Sequence, residues 1–187
     1  MNARMRVSAL VTAALLVAGC GDHDLVLNVD LLSFTRELQD PFVFPPVPPT
    51  PGGLATGEQA LVDDQTVNLV EGLGDAVAIR EVTIRLRSIA TATSGTGTDT
   101  LRIYLSDANT APRTTSAAMV QVLTFNAGVA DTATTVLSGD PRVDGLFKGN
   151  TVRISVTTSF RGPSAGFPLA GSLAINALDA TVIAGRK

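Results

Sequence analysis

A two-residue period constrains this chain more than any other feature. Over residues 79–89, Val82, Ile84 and Leu86 fall on one side, while Glu81, Thr83, Arg85 and Arg87 fall on the other. Residues 101–105 repeat the pattern, with Leu101, Ile103 and Leu105 on the apolar side and Arg102 and Tyr104 on the polar side. Residues 118–125 and 151–160 follow it again, and shorter or looser versions cover 25–34, 65–70, 132–137 and 171–184. Successive side chains of a strand face opposite sides of a sheet, so each segment predicts a strand with one buried and one wet face. Parallel sheets are covered on both faces and their strands read as continuous apolar runs, so a doubly wound α/β fold is excluded. About eight short strands separated by Gly, Asp, Asn, Ser and Thr predict an all-β fold, an antiparallel two-sheet sandwich. Jelly-roll and immunoglobulin-like strand orders both remain open.

Two segments depart from the period. Residues 141–148 predict the one short helix: Asp140 is a suitable N-cap, Pro141 suits the first helical position, and Val143, Leu146 and Phe147 follow at helical spacing before Gly149. Residues 41–53 hold six of the ten prolines. Proline removes a backbone donor and fixes φ, so this stretch predicts an extended crossover packed on the domain through Phe42 and Phe44. Residues 90–100, rich in Ala, Thr, Ser and Gly, read as a flexible loop.

The N-terminus carries a different signal. Arg4 and Arg6 precede an uncharged apolar run at 7–17, followed by Ala18, Gly19 and Cys20. A basic start, a short apolar core and small residues at the end mark a secretory leader. The run is about half of the roughly 20 residues that a spanning helix needs. Val17-Ala18-Gly19-Cys20 resembles the lipobox of bacterial lipoproteins, and the resemblance covers residues 1–20 alone. It implies cleavage before Cys20, a diacylglycerol on its sulfur and an acyl chain on the new amino end, so the membrane itself is the first expected partner. Gly21, not aspartate, follows the cysteine, which in such families favours sorting to the outer over the inner membrane. The expected organisation is a signal peptide at 1–19, a lipidated tether at 20–24 and a single domain at 25–187.

Composition then narrows function. Arg4 and Arg6 are two of 14 basic residues, and all 17 acids lie beyond residue 19, which leaves a balance of −5. Nothing in that balance favours nucleic acid. Cys20 is the only cysteine and His23 the only histidine, both ahead of the domain. A Ser-His-Asp or Cys-His catalytic arrangement and a His/Cys zinc site therefore cannot form inside it. No catalytic residue and no cofactor is expected apart from the acyl chains on Cys20. A carboxylate-based hydrolase is the residual enzymatic alternative, with Asp63, Asp64, Glu71, Asp75, Asp99, Asp107, Asp140 and Asp144 as its candidates. These acids sit largely beside turn-forming residues, where carboxylates cap and turn, and nothing fixes a pair. Asp99, Asp107 and Asn109 flank segment 101–105 and form a weak calcium-ligand set. If segments 79–89 and 101–105 pair, Arg85, Arg87 and Arg102 share an outer face fit for an acidic partner or glycan.

The leading expectation is a non-catalytic envelope domain that binds a protein or a glycan, or serves assembly. An alternative is a carrier holding an apolar ligand or lipid between the sheets. A carbohydrate-binding module is a further one, against which the lack of Trp and the single Tyr count.

Overall fold

A computed structural model describes residues 24–53, 55–69, 77–149 and 151–186. The leader, Cys20, His23, Glu71 and Asp75 lie outside the described residues. Nine strands are described: β1 (Leu25–Asp30), β2 (Phe42–Val47), β3 (Gln59–Asn68), β4 (Val77–Ser94), β5 (Thr96–Ser106), β6 (Met119–Asn126), β7 (Ala130–Ser138), β8 (Thr151–Arg161) and β9 (Leu169–Arg186). One α-helix, α1 (Pro141–Leu146), joins β7 to β8. All ladders between these strands are antiparallel.

The pairings are nested like one long hairpin. β5 pairs with β6, β4 with β7, β3 with β8, and β1 and β2 with the two halves of β9. Rolling that ribbon up brings β9 against β4 and β8 against β5. The result is two facing sheets, β1/β2-β9-β4-β7 and β3-β8-β5-β6. This is jelly-roll order, and it settles the choice between jelly-roll and immunoglobulin-like arrangements.

The alternating residues fill the space between the sheets. Val82, Ile84 and Leu86 meet Leu101, Ile103, Leu105, Ile154 and Val156 there, all essentially inaccessible to water. Burying each such side chain contributes roughly 1.5–3 kcal/mol. The proline segment joins the fold as an edge strand. β2 lies against β9, and its register slips between Phe44 and Val47, where Pro45 and Pro46 sit. Edges and bulges are where a sheet tolerates proline. Phe44 crosses the sandwich to stack on Phe160 (centroids 4.1 Å apart) and meet Phe125 edge-on at 5.3 Å.

Helix α1 begins where expected and is shorter than expected. The Asp140 carboxylate accepts from the N–H groups of Arg142 and Val143 at 2.9 and 3.4 Å. Asp144 accepts from the N–H of Val82 at 2.8 Å, pinning the helix to β4. Buried Val143 and Phe147 close that end of the sandwich.

Two expectations fail. The first strand ends at Asp30 and not at residue 34; Leu32–Phe34 and Arg36–Leu38 form 3-10 turns. Asp30 enforces the stop, because its carboxylate and carbonyl hold the N–H and hydroxyl of Ser33. Residues 90–100 are not a loop. β4 runs to Ser94, Gly95 turns, and β5 starts at Thr96. The small residues there permit close backbone approach. Gly95 has φ +68° and lies against the backbone of Phe167–Leu169, and Gly171 lies against the backbone of Thr91 and Ala92, leaving no room for a Cβ.

The strand directions give the molecule two poles. Leu25 lies beside Ala184 at the α1 end. At the opposite end Ser94 bonds Pro168, Thr50 bonds Pro163 and Gly128 bonds Ala92. The 15 residue steps of β9 from Leu169 to Ala184, at about 3.3 Å per residue, put these poles about 50 Å apart.

Candidate binding surface

The proposed arginine face is divided by the fold. β4 and β5 are consecutive but belong to opposite sheets, so segments 79–89 and 101–105 do not pair. Arg85 and Arg87 stand on the outer face of the five-stranded sheet and Arg102 on the outer face of the four-stranded one. The assumption that neighbouring segments form a hairpin fails at Gly95, where the chain crosses between layers.

Arg85 lies instead in a depression of about 660 Å³ lined by Asn28, Val29, Asp30, Thr83, Val136, Asp179 and Thr181. Three ladders build it. β1 supplies Asn28 opposite Thr181 and Asp30 opposite Asp179; β4 supplies Thr83 opposite Thr181 and Arg85 opposite Asp179; β7 supplies Val136 opposite Arg85. The Arg85 guanidinium donates to Asp179 Oδ2 at 2.9 Å, and Thr181 and Asn28 bond at 2.9 Å. Thr83 bonds Ser138 at 3.0 Å, and Ser138 in turn donates to Glu81. The surface offers donors and acceptors of both charge signs beside one exposed valine, Val136.

On the opposite face Arg102 neighbours a cluster that sequence reasoning missed. Glu58 Oε1 accepts from the Tyr104 hydroxyl at 2.8 Å and from Thr157. The Thr157 hydrogen bond, with help from Tyr104 and Arg102, holds the Glu58 carboxyl below its ordinary range. Partial burial and the Glu58 charge push the Tyr104 phenol up. Nothing in the sequence around Glu58 marks it, because it precedes β3 and meets its partners only through the β3–β8–β5 pairing.

The calcium set is also divided. Asp107 and Asn109 form a turn in which Asp107 Oδ1 accepts from the Asn109 N–H at 2.8 Å. That bond is the main cause of an Asp107 carboxyl held below its usual range. Asp64 is the acid brought near this turn, and the cation between them is Arg153. Its guanidinium clasps Asp64 with two nitrogens and donates to the Thr110 carbonyl at 3.1 Å. Asp99 is elsewhere. It sits eight residues up β5, faces the core and is inaccessible to water. Thr158 and the Ser159 N–H bond its Oδ1 at 2.5 and 3.2 Å, while Oδ2 is buried without a partner. Burial pushes its carboxyl up to about 6.

The inter-sheet space belongs to side chains. The four rings of Phe42, Phe44, Phe125 and Phe160 occupy one part of it. A buried polar bridge occupies another, with Ser88 of β4 donating to Gln121 of β6, which donates to Thr135 of β7 at 2.9 Å. Among the described residues no helix is long and apolar enough to cross a membrane.

No family model matches the chain, and no curated protein matches it. Several solved structures are similar in outline. The infectious bursal disease virus VP2 subviral particle is 15% identical over 96% of this chain, with a TM-score of 0.42. The T13 particle of the same virus is 14% identical over 96% of the chain, with a TM-score of 0.44. This chain spans about two-fifths of the length of those chains, 42% and 40%. A structure described as CBM4 is 13% identical over 66% of this chain and 59% of its own, with a TM-score of 0.27. At these scores the likenesses carry no functional argument.

Proposed function

We propose that this chain is a bacterial envelope lipoprotein whose jelly-roll domain binds, without catalysis, a polyhydroxylated ligand of the cell envelope. The observation that carries the reading is the depression around Arg85 and Asp179, where charged and hydroxyl groups converge on the wet face of the five-stranded sheet. Sugars are recognised by such sets of fixed donors and acceptors, and ligand sites pair them with a little apolar surface, here Val136. The absence of histidine and cysteine from residues 24–187 supports binding over turnover. The lipobox-like leader supports the address. Asn28 is eight residues from Cys20, so even a fully extended chain keeps the depression within about 30 Å of the acylated sulfur.

The reading is tested with the full chain and isolated envelope polysaccharide. Retention is expected for the wild type and should fall at least tenfold in Arg85→Ala and Asp179→Asn, with Arg102→Ala unchanged. No retention of the wild type, or an equal loss in Arg102→Ala, overturns the glycan reading. Separately, Cys20→Ser should leave the membrane pellet; if it stays there, the anchor assignment is wrong.

A further inference from the structure

The edges of the two sheets are protected unequally. β2 carries Pro45 and Pro46 at a bulge. β3 is interrupted by two register shifts, carries Asp63 and Asp64, and has Asp64 at φ 57°. β1 has only six residues and ends on Asp30. Proline, charge, bulges and shortness are the usual means by which an edge avoids pairing with another chain. β6 has none of them. Its eight residues, Met119–Asn126, contain no proline and no charge, and they pair with β5 in unbroken register. Two of its outward side chains are valines, Val120 at 52% and Val122 at 59% exposure.

We infer that β6 pairs edge to edge with β6 of a second copy of this chain, joining two four-stranded sheets into one of eight. The hydrogen bonds give the register. The Thr124 N–H turns away from β5 to the open side, where the Asp131 carboxylate takes it at 2.8 Å. With the two-residue period of a strand, Val122 and Val120 present their N–H and C=O groups on that same open side. Asp131 obstructs the strand at Thr124, so the free length centres on Gln121. A two-fold axis there sets Val120 opposite Val122 of the second copy, and Val122 opposite its Val120. Each pair exchanges two backbone hydrogen bonds, and the four valines form one outward ladder. No charge opposes its like, which makes the edge self-complementary, as an isologous interface requires.

The register supplies the test. Full chains carrying Val120→Cys and Val122→Cys, each in a Cys20→Ser background, are co-expressed and mildly oxidised. A disulfide-linked species of twice the chain mass is expected from the mixture, at least tenfold above either variant alone. Lysine at the remaining valine of each chain (Val122→Lys beside Val120→Cys, Val120→Lys beside Val122→Cys) should abolish it, and Val43→Cys, exposed on a different edge, should give none. Three results overturn the inference: no linkage above the Val43→Cys level, equal linkage from each variant alone, or adducts only to a chain of another mass.

Discussion

The two ends of β5 hold aspartates under opposite conditions. At one end Asp99 faces the core beside Phe160, its level on β8, with one oxygen bonded and the other alone. Beyond the other end Asp107 stands in a turn at the surface, close to the Asp64–Arg153 clasp. A buried carboxylate without a cation is stabilised by taking up a proton, whereas a carboxylate with hydrogen-bond donors and a nearby guanidinium is stabilised by staying charged. The same side chain therefore responds to pH in opposite directions eight residues apart.

The largest effect should come from removing that contrast at Asp99. Its folded carboxyl titrates at about 6 against 3.8 for the free group. A raised value means that its contribution is complete below pH 3.8 and is lost as pH rises through 6. The stability difference between wild type and Asp99→Asn should therefore change by about 3 kcal/mol between pH 3.5 and pH 7.5, in favour of Asn at the higher pH. Urea midpoints of both proteins at the two pH values measure this; parallel curves would mean that Asp99 is solvated. The opposite end should give a smaller effect. Arg153→Met leaves Asp64 and the Thr110 carbonyl without their donor and should cost roughly 2 kcal/mol, with no rescue by Arg153→Lys, which cannot clasp a carboxylate with two nitrogens. Thermal unfolding of the two variants checks it. The smallest effect belongs to a third setting, the exposed cross-strand pair Asp30 and Asp179. Asp30→Asn keeps the bond to the Ser33 N–H and removes the like charge, so it should stabilise by on the order of 0.5 kcal/mol, and less at high salt. A loss of stability there would show that Asp30 does more than oppose Asp179.

These settings mark how far the sequence could be read. The two-residue period correctly placed Val82, Ile84 and Leu86, and Leu101, Ile103 and Leu105, in the core of an antiparallel sandwich. Asp140 and Pro141 correctly opened the helix. Asp99 was legible in the same way, because it shares parity with Leu101, Ile103 and Leu105. Gln121 shares parity with Met119, Leu123 and Phe125, and Ser88 with Leu86 and Ala90. Reading polarity as exposure hid all three. The division of Arg85 and Arg87 from Arg102 was not legible, because periodicity tells which residues share a strand face and not which sheet a strand joins. Residues 90–100 misled for a related reason. Small side chains that let backbones touch look, in one dimension, like a loop.

The position of β9 has a consequence for how the molecule comes into being. Although the last of the described strands, it lies inside its sheet, with β4 on one side and β1 and β2 on the other. Until it is synthesised, three strands lack their partner, and Leu25 must wait for Ala184. A nascent chain of this design cannot close its five-stranded sheet until β9 has appeared, so that sheet assembles after synthesis of its strands and not along with it.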